Sequence, residues 1–308
     1  MSGPGVTLLD GGMGRQLARM GAPFRQPEWS ALALIEAPET VQAAHEAFIA
    51  AGAQVITTNS YALVPFHIGE DRFSAQGQAL ADLSSRLARQ AAASAAAPVR
   101  VAGSLPPLFG SYRPDLFEPE RAPKIAKILV EGLAPHVDLW LAETQSSIRE
   151  VAAAAAAVAG RGKPLWISYT IEDERPEPGM PRLRSDEPVE EAVRAALDLG
   201  AEAVLFNCSQ PEAMGDAVTA AARVIGAARS LARIGVYANA FPPQPKDAAA
   251  NGELSELRAD LDPDRYLGWI RLWVGLGASL VGGCCGIGPE HIARRRAALP
   301  ELAAAGAR

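Results

Sequence analysis

Cys208, Cys284 and Cys285 are the only cysteines in the 308-residue sequence. Cys208 stands in Leu205-Phe206-Asn207-Cys208-Ser209, and the other two in Gly282-Gly283-Cys284-Cys285-Gly286. Each segment follows a short apolar run of β character, 203–206 and 279–281. Thiolates are soft ligands. Three of them at two strand ends describe an open zinc site, in which an outside group completes the tetrahedron. Adjacent cysteines seldom bond each other, and an odd count argues against a disulfide framework, so three reduced thiols are expected. The competing reading is three buried cysteines used as small apolar side chains.

Two carboxylates sit at comparable places. Asp10 ends an apolar run in Leu8-Leu9-Asp10-Gly11-Gly12, where it could bind an ammonium group or cap the next helix, and where Gly11 lets the backbone approach a ligand closely. Glu143 follows Leu139-Trp140-Leu141-Ala142, so its charge must face an open cavity or be buried at high cost. In Thr57-Thr58-Asn59-Ser60-Tyr61, strand alternation puts Thr57, Asn59 and Tyr61 on one face, as substrate contacts if it points inward and helix packing if outward. Asn207 and Asn239 also end apolar runs and are candidate ligand contacts or partners for loop backbone. None of the four histidines is spaced for joint ligation, and His45 and His291 fall inside helical patterns. A phosphate cradle at Gly286-Ile287-Gly288 is disfavoured, since no lysine or arginine follows before Arg294.

The elements that must position these residues alternate along the whole chain. Strands are expected at 7–10, 55–59, 99–103, 137–143, 165–169, 203–207, 234–237 and 279–282. Amphipathic helical patterns lie between them, among them 38–51, 73–96, 146–159, 188–199, 211–227, 263–275 and 289–299. Asp186, Ser209 and Asp262, each near a proline, read as helix starts. Eight βα units in a chain of this length predict one (β/α)8 barrel domain over 1–308, ahead of a doubly wound open sheet, because Gly11-Gly12-Met13-Gly14 is not a dinucleotide fingerprint. Helix-to-strand connections are short. Strand-to-helix connections are long, at 60–72, 104–119, 170–187 and 238–261, which puts the chemistry at the C-terminal mouth of the barrel together with all three cysteines.

Composition narrows the partners. Apolar content of 49% and charged content of 21% support a sizeable core. A net charge of −6 without a basic block argues against nucleic acid. The N-terminus shows no signal-peptide pattern, and the alanine runs at 91–97 and 152–157 are too short to span a bilayer, so a cytoplasmic protein is expected.

Leu9-Asp10-Gly11-Gly12, Thr57-Thr58-Asn59-Ser60-Tyr61, Glu143-Thr144, Asn207-Cys208 and Gly282-Gly283-Cys284-Cys285-Gly286 together resemble the zinc-dependent homocysteine S-methyltransferase family, in family order and across nearly the whole chain. The resemblance implies a (β/α)8 barrel, zinc held by Cys208, Cys284 and Cys285, homocysteine as the thiol acceptor, and Asp10 and Glu143 on its amino-acid end. Members that use betaine carry tyrosine after the strand-four glutamate, where this chain has Thr144, and only 287–308 follows the last cysteines. The expected donor is therefore a sulfonium, S-methylmethionine ahead of S-adenosylmethionine, although Ala240 follows Asn239 where a small polar residue is expected. Trp29, Tyr61, Phe66, Phe109 and Tyr112 are the aromatic candidates to face that cation. Alternatives keep the site with betaine or another donor, or with a selenol or other thiol acceptor. A thiol-binding zinc barrel without turnover is the non-enzyme reading.

Overall fold

The computed structural model describes residues 5–244 and 256–305. Its strands are β1 (Thr7–Leu8), β2 (Val55–Thr57), β3 (Arg100–Leu105), β4 (Leu139–Gln145), β5 (Leu165–Tyr169), β6 (Ala203–Asn207), β7 (Arg233–Tyr237) and β8 (Leu280–Val281). All pairings are parallel, in the order β1-β8-β7-β6-β5-β4-β3-β2. The ends of that order meet through a parallel bridge between Leu9 and Val55, where Gln54 N donates to Leu8 O (2.8 Å) and Asp10 N to Val55 O (3.1 Å). The sheet thus closes on itself as a (β/α)8 barrel, and each expected strand is present within a few residues of its expected span.

The helices are α1 (Met13–Arg19), α2 (Ser30–Glu36), α3 (Pro38–Ala51), α4 (Pro65–Ile68), α5 (Glu70–Ala93), α6 (Ala122–Leu133), α7 (Ile148–Val158), α8 (Val189–Asp198), α9 (Pro211–Ala227), α10 (Pro263–Gly275) and α11 (Pro289–Ala305). Helices α1 and α2 are insertions between β1 and α3, and the short α4 lies within the long loop after β2. Asp262 caps α10, its carboxylate accepting from Asp264 N and Arg265 N (both 2.9 Å). Asp186 and Ser209 do not cap. The Ser209 hydroxyl is engaged across the mouth with Ile171 N (3.0 Å), and the residues at the N-caps of α8 and α9 are Pro188 and Gln210.

Strand alternation sorts the core into two layers. Leu139 and Leu141 of β4, Ala203 and Leu205 of β6, Val55 and Leu280 pack together inside the barrel. Trp140, Ala142, Val204 and Phe206 belong to the outer layer, against the helices. The same parity carries Glu143 and Asn207 to the inner face at the C-terminal ends of β4 and β6. Among the described residues, no helix is long and apolar enough to cross a membrane.

Candidate active site

One cavity at the C-terminal mouth collects most of the residues with chemical potential. Asp10, Gly11, Thr57, Asn59, Tyr61, Glu143, Asn207 and the three cysteines all line it. Asn239 does not. It lies beyond the end of β7, where strand parity no longer holds, and its Oδ1 accepts from Phe241 N (3.2 Å). Trp29, Tyr61 and Tyr112 also line the cavity. Phe66 packs on His67 (ring centroids 5.1 Å) and Phe109 on Phe117 (5.7 Å), both outside it.

The three cysteine sulfurs lie within 4.8 Å of one another. The Sγ atoms of Cys208 and Cys284 are in direct contact, with Cα atoms 5.8 Å apart, and Cys285 completes the cluster. Burial pushes the Cys285 thiol up to about 11, with the Arg15 guanidinium pulling the other way. In the reduced state, three soft donors from two strand ends at this spacing fit a single zinc ion.

Glycines bring the cysteine segment into place. A Cβ on Gly12 would lie 2.6 Å from Cys284 O and 2.9 Å from Cys285 Cα, and one on Gly11 would strike Ile287 O. The glycines after β1 are therefore needed for backbone-to-backbone packing of the first and eighth loops. Gly283 N in turn donates to Asp10 O (2.9 Å).

Asp10 does not cap α1, whose N-cap is Gly12. Its carboxylate accepts from Thr57 N (2.7 Å) and from the Thr57 hydroxyl (3.3 Å), so β2 orients it into the cavity. Burial pushes Asp10 up to about 7 against those two bonds. Burial and the facing Asp10 charge push Glu143 up to about 8. Asn207 accepts from Thr144 N (3.0 Å) and the Ser168 hydroxyl (2.7 Å) and donates to Thr144 Oγ1 (2.8 Å), tying β4, β5 and β6 together beneath the site. Asn59 Nδ2 donates to Ser30 O (3.0 Å) and docks α2 on the cavity wall.

Other contributors carried no sequence signal. Four of the six described non-glycine residues with positive φ line the cavity: Trp29 (50°), Tyr112 (65°), Thr144 (56°) and Cys208 (51°). Such backbone is strained, and it concentrates where side chains must be aimed. Behind Cys208 lies a fully buried ion pair, Arg184 Nη2 to Asp173 Oδ1 (2.8 Å). Asp173 Oδ2 accepts from Gln210 N (2.9 Å), and the Arg184 guanidinium stands 4.4 Å over the Tyr112 ring. The Tyr112 hydroxyl donates to Cys208 O (3.3 Å), so the pair braces the Cys208 turn from both sides.

Residues 7–299 match the family model described as homocysteine S-methyltransferase. Homocysteine S-methyltransferase of Escherichia coli is 28% identical, over 95% of this chain and 94% of its own length. Betaine–homocysteine S-methyltransferase 1 of Mus musculus is 29% identical, over 97% of this chain and 72% of its own length. Selenocysteine methyltransferase of Astragalus bisulcatus is 26% identical, over 93% and 90%. Among solved structures, the E. coli homocysteine methyltransferase MmuM in its metallated form superposes with a TM-score of 0.76 at 28% identity, covering 95% of this chain and 96% of that one. Its oxidized form also gives 0.76, at 25% identity and 95% coverage of each chain.

Proposed function

As the chain belongs to the homocysteine S-methyltransferase family, we propose that it moves a methyl group from a sulfonium donor, S-methylmethionine first, to the thiol of homocysteine, giving methionine. The observation that carries this reading is one cavity with three clustered sulfurs and two carboxylates, Asp10 and Glu143, on its wall.

Each carboxylate has a task in that reaction. Asp10 and Glu143 are held partly protonated near neutral pH by burial, and for Glu143 also by the facing Asp10 charge. An ammonium group between them favours the ionised form of both, so the amino-acid end of homocysteine relieves the strain of the empty site. Thr57 keeps Asp10 aimed at that ammonium. Zinc held by Cys208, Cys284 and Cys285 would supply an open position at which the substrate thiol loses its proton. The homocysteine thiolate attacks the donor methyl carbon in line. The S–CH3 bond of the donor breaks, its electron pair stays on the donor sulfur, and a neutral thioether leaves. The negative charge gathered at this end of the cavity attracts the cationic donor, and the faces of Trp29 and Tyr61 can border its positive charge.

Methionine formation from homocysteine by the reduced, zinc-loaded chain, across a panel of S-methylmethionine, S-adenosylmethionine and betaine, tests the reading. Transfer from S-methylmethionine is expected to be fastest. No methionine from any of the three would overturn it.

A further inference from the structure

The turn that carries Cys284 and Cys285, residues 282–288, is held from behind by side chains of the last two helices. Tyr266 of α10 is fully buried, and its hydroxyl shares one proton between Ala238 O (3.0 Å) and Gly282 O (3.1 Å). These are the first residues past β7 and past β8. Ala238 O also accepts from Cys284 N (2.9 Å), and Ala240 N donates to Cys285 O (2.8 Å). One phenol thus ties two strand ends and the backbone of Cys284 at a single point. At the far end of the turn, His291 of α11 accepts from Gly288 N at Nδ1 (3.2 Å) and donates from Nε2 to Leu261 O (3.0 Å). The Tyr266 and His291 rings meet edge to face at 5.9 Å. Arg295, one helical turn after His291, is fully buried as well. Its guanidinium lies 4.7 Å over the Tyr266 ring, and none of its three nitrogens has a hydrogen-bond partner among the described residues. A cation so placed draws on the ring's electrons and makes the phenol a stronger donor. None of these three side chains lines the cavity, so they act through the turn and not on a substrate.

We propose that Tyr266 is a positioning residue for the metal site: its hydroxyl fixes the 282–288 turn where Cys284 and Cys285 can ligate together with Cys208. Without the hydroxyl, Ala238 O and Gly282 O lose their shared donor in the protein interior, and the two strand ends are free to part. The proposal rests on the zinc reading above, but it also has a consequence in the metal-free chain.

Two hydroxyl deletions in the full reduced chain test it. Tyr266→Phe removes one oxygen and keeps the ring beneath Arg295. Tyr169→Phe is the matched control, since Tyr169 is equally buried and donates to Ala192 O (2.9 Å) of α8 in the outer layer. Similar losses of unfolding stability are expected from both, so stability alone does not separate them. Zinc affinity, read by competition with a chelator, should fall about 10-fold or more in Tyr266→Phe, the loss typical of removing a group that orients a ligand. In Tyr169→Phe it should stay within about twofold of the parent. In the metal-free chain, hydrogen exchange at the Cys284 amide should become about 10-fold faster in Tyr266→Phe alone, the magnitude of one lost hydrogen bond. Parent-like zinc affinity in Tyr266→Phe, equal zinc losses in the two variants, or unchanged exchange at Cys284 would each overturn the assignment. A parent chain that takes up no zinc refutes the metal reading and with it the metal role of Tyr266, whereas a parent that binds zinc as tightly as Tyr266→Phe refutes the positioning role alone.

Discussion

At the scale of single residues, the roles proposed for Glu143 and Asp10 would separate substrate recognition from metal binding. Glu143→Gln is expected to retain zinc but to lose about 10- to 100-fold in homocysteine affinity, using roughly 1.5–3 kcal/mol for a charge-assisted hydrogen bond. A simple alkyl thiol should be little affected, and equal weakening of both would reassign Glu143 to supporting the fold. The raised carboxylates also set a pH dependence. Folded Asp10 and Glu143 keep protons up to about 7 and 8, against ordinary values of 3.8 and 4.5. The folded state therefore binds more protons than the unfolded state between these limits, and metal-free stability should fall as pH rises from about 4 through 8. Thermal melts at pH 5, 6, 7 and 8 check the sign, and Glu143→Gln should flatten the slope. Affinity for homoserine, which carries the ammonium but no thiol, should rise over the upper part of the same window as the carboxylates ionise.

Elements place these residues through closures and braces between loops. The loop after β1 lies on the loop after β8 only because Gly11 and Gly12 lack side chains. Gly12→Ala is expected to push the Cys284–Cys285 backbone outward and to lower bound zinc more than it lowers helix content, which metal analysis and circular dichroism can separate. The loop after β5 supplies the second brace. Asp173 and Arg184 are both fully buried as a pair, so removing one partner leaves a charge uncompensated. Asp173→Ala should cost about 3–5 kcal/mol in denaturant unfolding. Replacing both residues by apolar ones should cost much less in stability but still loosen the Cys208 turn, visible as weaker zinc binding. If the double variant binds zinc as tightly as the parent, the brace serves stability alone.

For the whole molecule, the barrel brings together sulfurs from β6 and β8 that are 76 residues apart in sequence. Reduced protein is expected to bind one zinc per chain, and Cys208→Ala to lose most of it. Because the three sulfurs lie within 4.8 Å of one another and zinc needs them as thiolates, protein oxidised at these cysteines should take up zinc only after a reductant is added. Mass spectrometry with metal quantification before and after reduction reads this directly. Zinc binds the folded chain in preference to the unfolded one, so loading should also raise the melting temperature.

The eight strands, the barrel and the convergence of the three cysteines at its mouth were legible in the sequence because each rests on a local signal: apolar runs of strand length, glycine and proline punctuation, and soft donors at strand ends. Strand parity also carried Thr57, Glu143 and Asn207 to the inner face. That argument stops where the strand stops. Asp10 has the parity of the outward Leu8 and turns inward only because the chain leaves the strand after Leu9 and Thr57 holds its carboxylate. Asn239, beyond β7, leaves the cavity altogether. The Asp173–Arg184 brace, the strained backbone at Cys208 and Thr144, the close approach of Cys208 to Cys284 and the position of Arg15 depend on which loops meet across the barrel mouth. No local pattern encodes those meetings, since they are fixed by ring closure and by the packing of glycines against distant backbone. The chemistry available to this chain was thus readable from residue types and spacing, while its orientation and its charge balance were decided by tertiary contact.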